Sequence, residues 1–201
     1  MAKAKKSTRK SARSGRVTAR RSTPNAIALL KADHRQVEGW FGQFESSRSE
    51  ARKQDLAEKI CQALKVHTRI EEEIFYPAFL AATGEKDIHH EAEVEHNGAK
   101  QLIAEIAASG PKDDYYDAKV KVLSEMIKHH VNEEEQRDGM FAKARQSEMD
   151  LAALGERLAA RKEELMGSEN STDEETSRGS RGSSATRHEG ALTRLARRFG
   201  S

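Results

Sequence analysis

Two stretches of the chain share a pattern, a histidine with a glutamate four residues later: His67 with Glu71 and His130 with Glu134. On an α-helix, residues four apart lie on one face, so each pair would aim an imidazole and a carboxylate in the same direction. Two more histidines, His34 and His96, stand singly at apolar positions of other segments. Four imidazoles and two carboxylates without a thiolate suit one or two borderline transition metals. Carboxylates able to bridge favour a di-iron centre, and zinc or manganese would also tolerate these ligands. Buried carboxylates are expensive unless something positive sits between them, which is a further reason to expect a cation.

The elements that must carry these side chains can be read from apolar residues recurring at steps of three and four. A first helix opens at Thr23-Pro24 and runs through Ile27, Leu30, His34, Val37, Phe41 and Phe44. A second spans about 51–76, through Leu56, Ile60, Ala63, His67, Glu71 and Ile74, and Pro77 is expected to end it. A third begins near Asp87 and carries Ile88, Ala92, His96, Ala99, Ile103 and Ile106. A fourth starts near Asp113 and carries Tyr116, Val120, Leu123, Ile127, His130, Glu134 and Phe141. Long helices joined by short loops predict an all-α, up-down-up-down four-helix bundle over residues 24–146. Measured from those boundaries at about 1.5 Å per residue, all four imidazoles fall near 15 Å from one end of the bundle. Convergence on one layer is what a shared site requires. A further helical stretch, 147–166, is expected to pack across one end or to extend the fourth helix.

The 201 residues suffice for one domain with tails, and 36% hydrophobic with 5% aromatic residues supplies a thin core. No apolar run approaches the length of a transmembrane helix. Cys61 is the single cysteine, so no internal disulfide framework exists, and the chain reads as a reduced, cytoplasmic protein with no secretory start. The net charge of +2 conceals a segregation. Residues 1–23 carry nine Lys or Arg and no acid, the stretch 167–201 carries +1, and the body between them carries −8. The arm 1–23 lacks apolar periodicity and is expected to be disordered when free; it could bind nucleic acid or an anionic surface. Residues 167–201 read as a flexible Ser- and Gly-rich tail, with a short basic amphipathic helix near 191–199.

Over residues 25–146 the sequence resembles the hemerythrin-like, or HHE cation-binding, family. The carriers are Asp33-His34, the segment from His67 through Glu71 to Tyr76-Pro77, Glu95-His96, and His129-His130 through Glu134-Glu135. The resemblance implies a four-helix bundle around two non-haem iron ions. His34, His67, His96 and His130 would be terminal ligands, and Glu71 and Glu134 would bridge. It also implies binding or sensing of O2, NO or peroxide, or iron handling. Oxygen-carrying hemerythrins place a second histidine one turn before the third-helix ligand, where this chain has Ala92. Glu93 is the candidate substitute, with His89 behind it, and Glu38 is a further candidate carboxylate. Glu93-Val94-Glu95-His96 also spells the ExxH motif of ferritin-like proteins, but only once and in a histidine-rich seam. Glu72, Glu73, Glu133 and Glu135 read as a solvated acidic face, and Trp40, Phe41, Phe75 and Tyr76 as residues near the layer that pack or limit water and ligand access. An open coordination position at Ala92 leaves room for a redox enzyme, breaking down peroxide or oxidising ferrous iron. A third expectation is an iron-responsive, nucleic-acid-associated protein acting through the arm.

Overall fold

The computed structural model describes residues 23–181, with side chains described through residue 168. Among the described residues the chain is all helix: α1 Ala26–Ser46, α2 Glu50–Ile70, α3 Tyr76–Thr83, α4 Lys86–Ala107, α5 Tyr116–Glu135, α6 Met140–Gln146 and α7 Leu151–Arg181. A π-helical turn, Glu71–Phe75, joins α2 to α3. α1 and α4 each pack against both α2 and α5, closing a ring of four long helices, and α7 lies against α1, α2 and the π-turn. The basic arm, except Thr23, and the basic segment 191–199 lie outside the described residues.

The core falls into two clusters. One holds Leu30, Ile70, Phe75, Tyr76, Phe141 and Leu158. The other holds Val37, Phe41, Ile60, Leu64, Ile103 and Leu123. The histidines of α1, α2 and α4 stand between them: α1 passes from the first cluster through His34 to the second, whereas α2 passes from the second through His67 to the first. A polar layer thus lies between two apolar slabs, each buried side chain contributing about 1.5–3 kcal/mol.

Several expected boundaries move. The cap of α1 is Asn25, whose Oδ1 accepts from the Ala28 amide at 2.9 Å, so the helix starts after Pro24 rather than on it. Pro77 does not end the second helix, which continues to Thr83 and stops at Gly84, a residue in the left-handed region at φ 71°. A proline inside an α-helix collides with the carbonyl four residues back; the π-turn just before it relieves that conflict. The fourth helix ends at Glu135, not at Phe141. Gln136 is extended, and Phe141 belongs to α6 after a sharp reversal. A Cβ at Gly139 would stand 2.2 Å from the Glu133 carbonyl oxygen, so this reversal requires glycine. The stretch expected at 147–166 is a fifth long helix packed against α1, α2 and the π-turn. It does not extend the fourth, and its backbone runs to Arg181, into the segment whose composition suggested a flexible tail.

Candidate metal centre

The four histidines and two glutamates meet in the polar layer, and all six are buried, Glu71 at 0% and Glu134 at 1% exposure. The imidazoles come together in two pairs: Nε2 of His34 lies 3.0 Å from Nε2 of His67, and Nε2 of His96 lies 3.2 Å from Nε2 of His130. Glu71 Oε2 lies 3.2 Å from His67 Nε2 and 3.5 Å from His96 Nε2, so it reaches both pairs. Glu134 lies 3.4 Å from His34 Nε2 through Oε2 and 3.8 Å from His130 Nε2 through Oε1. Two three-ligand groups result, His34 with His67 and Glu71, and Glu71 with His96 and His130, each with its donor atoms within 4.8 Å of one another. Glu71 is common to both.

The outward nitrogen of every imidazole faces a carboxylate. Nδ1 donates to Glu135 from His34 at 2.8 Å, to Glu72 from His96 at 3.0 Å, to Glu95 from His130 at 2.6 Å, and to Asp33 from His67 at 3.5 Å. An ionised carboxylate only accepts, so these contacts fix the proton on Nδ1 and turn the Nε2 lone pair inward. Each carboxylate has its own positive or polar neighbour: Lys31 and Arg35 at Glu135, Lys100 at Glu72, His129 at Glu95, and Lys162 at Asp33. Glu72 and Glu135 therefore serve the layer and are not a solvated face. Acidic residues beside the ligands are hard to tell from a solvated run in sequence, because the signal is only adjacency.

Two facing lone pairs 3 Å apart repel unless a proton or a cation lies between them. Burial, then the charge of His67, pushes His34 down to about 4. Burial opposes charge on His67 as well, but Glu71 and Asp33 hold it up to about 10. The second pair repeats the division: burial lowers His96, while Glu134 and Glu95 raise His130 against burial. Burial and the neighbouring charge of Glu71 push Glu134 upward, whereas His67 holds Glu71 down against burial. Both oxygens of Glu71 and Oε2 of Glu134 are buried without a hydrogen-bond donor among the described residues. Orphaned carboxylate oxygens ringed by inward Nε2 atoms are the donor set of a cation site, and the residues fit one.

Tyr76 is the site residue that periodicity missed. Its hydroxyl donates to Glu134 Oε1 at 3.1 Å and lies 3.2 Å from His96 Nε2. Five residues after Glu71 on an α-helix would be turned well away from it. The π-turn inserts one residue, marked by the Tyr76 amide bonding to the Glu71 carbonyl, and brings the phenol back to the layer. Phe141 stacks on His34 with ring centres 5.8 Å apart. Glu93 and Glu38 do not join the layer: each is half exposed, Glu93 lying 3.8 Å from His89 and Glu38 pairing with Arg35. Ala92 is buried in the core cluster that also holds Tyr76.

A cavity of about 10 Å³, the room of one water-sized molecule, abuts the layer. It is lined by the four histidines with Val37, Leu64, Ile127 and Val131 among others. His34, Ile127 and Val131 also line an outer cleft of about 280 Å³ between α1 and α5, edged by Arg35, Glu38, Lys128 and Glu135.

A helical bundle with a buried layer of histidine and glutamate donors defines a cation-binding protein of the helical-bundle class. Residues 25–142 match the hemerythrin HHE cation-binding domain, and the chain belongs to that family. It is similar to the crystal structure of a hemerythrin HHE cation-binding domain-containing protein from Mycobacterium kansasii. The TM-score is 0.61 at 28% identity, over 72% of this chain and 89% of that one. It is also 28% identical over 111 residues to a Nostoc sp. protein named a DNA nickase, covering 55% of this chain and 31% of that protein. The chain thus spans about a third of the nickase. No described helix is long and apolar enough to cross a membrane.

Proposed function

We propose that the protein holds two iron ions, which His34, His67, Glu71, His96, His130 and Glu134 would bind, and uses them to bind or sense a small ligand such as O2, NO or peroxide. The observation that carries this reading is Glu71, common to two three-ligand groups and buried with no hydrogen-bond partner for either oxygen among the described residues. Bound iron would supply one-electron redox chemistry and affinity for small ligands at a position the protein leaves open. The protein's own part is to hold four Nε2 atoms inward through the outer carboxylates and to exclude bulk water with the apolar slabs. The small cavity beside the histidines has the room of one water-sized molecule and suits a small ligand. Iron handling and turnover of peroxide use the same centre.

The test is metal content per chain and the visible spectrum of tag-free, iron-loaded protein before reduction, after it, and on exposure to air, NO or azide. About two irons per chain, as the pair of ions requires, with bands that bleach and return, is the expected result. Tight zinc alone, or no spectral response, would sink the reading. Repeated peroxide turnover lost in His67→Ala would move it from sensing to catalysis.

A second reading makes the bundle an iron-responsive element of a nucleic-acid-associated protein. The nine cations of residues 1–23 favour it, as does similarity to a part of a protein named a DNA nickase. A salt-sensitive DNA mobility shift, lost on deletion of residues 2–23, is its expected signature.

A further inference from the structure

α7 lies beyond the residues matched to the HHE domain, yet it reaches the metal centre. Leu154, Leu158 and Leu165 are buried in the core cluster that also holds Leu30, Ile70 and Phe75. Gly155 meets the start of α1 so closely that a Cβ there would stand 2.3 Å from the Pro24 carbonyl oxygen. From this seat Lys162 donates to Asp33 Oδ1, while Asp33 Oδ2 accepts from His67 Nδ1. The adjacent Arg161 donates to both oxygens of Glu73, at 2.7 and 3.2 Å, within the π-turn that delivers Glu71. α7 therefore braces both segments that bring ligands from α1 and from the α2–α3 junction.

The four outer carboxylates are not equivalent. Those on His34, His96 and His130 are glutamates, hydrogen-bonded at 2.6–3.0 Å, with partners supplied by the ring helices. His67 alone faces an aspartate, at 3.5 Å, and that aspartate takes its cation from α7. A short, largely buried carboxylate with one long hydrogen bond depends on its cation to stay charged and in place.

We infer that Lys162 is a positioning residue of the metal centre, pairing with Asp33 to hold it against His67 Nδ1 and so aim His67 Nε2 at the ion. The inference rests on the metal-binding reading. It makes a helix outside the HHE unit part of that unit's ligand support.

The test is cobalt(II) titration of the full-length chain, following visible absorption and competition with a chromophoric chelator. Lys162→Met is expected to weaken cobalt binding about tenfold and to alter the absorption bands, the size of loss typical of support one step behind a ligand. Lys162→Arg should restore both. Asp33→Asn should weaken binding at least as much, and the double variant should be no worse than Asp33→Asn alone, because the two residues act through one contact. Leu56→Ala, which loosens the other core cluster without touching α7 or the pair, should lower the melting temperature and leave the cobalt bands unchanged. Wild-type affinity and bands in Lys162→Met overturn the inference, as do additive losses in the double variant. If Lys162→Met does not fold, unaltered cobalt binding by Asp33→Asn overturns it instead. If the wild-type chain takes up no cobalt, the metal reading falls and this inference with it; uptake by wild type that Lys162→Met leaves intact removes only the inference.

Discussion

The hydroxyl of Tyr76 lies 3.1 Å from Glu134 Oε1, linking the π-turn after α2 to the end of α5 across the metal layer. Burial, and after it the charges of Glu134 and Glu71, push the phenol well above its usual range, so it donates to the carboxylate. Tyr76→Phe removes that donor without opening a cavity. Stability should fall by about 1 kcal/mol and iron should remain bound. The visible bands and azide affinity of the loaded protein should change, since a group facing the ions has gone. An unchanged spectrum would assign Tyr76 to packing.

Ligand entry offers a second measurement. Ile127 and Val131 line both the inner cavity and the outer cleft, so they stand on the path between solvent and the layer. Ile127→Trp should slow azide association severalfold in stopped flow while the spectrum before mixing stays that of wild type. An unaltered rate would place the entrance elsewhere.

The candidate ligands are legible in the sequence because their signal is a spacing: His67 with Glu71 and His130 with Glu134 at four residues, and His34 and His96 on apolar seams. The layer survived errors in the elements that carried it. The expected stops at Pro77 and Phe141 are not helix ends, but the histidines' own register with the flanking apolar residues was right, and that register sets the layer. What spacing could not show was anything produced by a departure from 3.6 residues per turn. Tyr76 reaches Glu134 only through the π-turn, and Phe141 reaches His34 only through the reversal at Gly139. Lys162 was hidden for another reason: its partner Asp33 is 129 residues earlier, and a lone lysine on an amphipathic helix looks like surface.

The reversal itself can be tested. A Cβ at Gly139 would press on the carbonyl oxygens of Glu133, at 2.2 Å, and Glu134, at 2.9 Å. Both are backbone atoms, so relief must move the end of α5. Gly139→Ala should cost about 1–3 kcal/mol by overpacking and should also weaken metal uptake, because Glu134 is displaced. A stability loss with metal affinity untouched would show that the end of α5 yields without carrying Glu134.

Metal uptake should release protons. Held up to about 10 by Glu71 and Asp33 against burial, His67 carries a proton at neutral pH, and His130 is raised in the same sense. A cation replaces those protons between the paired Nε2 atoms, so affinity should increase as pH rises towards the folded-state value of His67. Stability without metal runs the other way for this group. The contribution of a raised histidine is fully present below its unfolded value near 6.5 and is lost as pH rises through about 10. Zinc titration in weak buffer at pH 7 with a pH indicator checks the first statement. Uptake with no proton release, or affinity that falls with rising pH, would contradict it.

Glu134 allows the expense of the site to be separated from its use. Burial and the charge of Glu71 drive its carboxyl towards the protonated form, with Oε2 lacking a donor. Glutamine is the neutral isostere of that form. Its amide nitrogen takes the place of Oε2, so no charge is buried there, while its carbonyl still accepts from Tyr76. In the presence of a chelator, Glu134→Gln should therefore be more stable than wild type by about 1 kcal/mol, a rise of ~3 °C in melting temperature. Loaded with iron the order should reverse, because an amide is a poorer bridging ligand than a carboxylate and iron per chain should fall. A lower melting temperature in chelator would mean that Glu134 is held by the imidazoles as an ion and stabilises the fold without metal. The crossing of the two orders is the signature of a residue kept for the cation and not for the bundle.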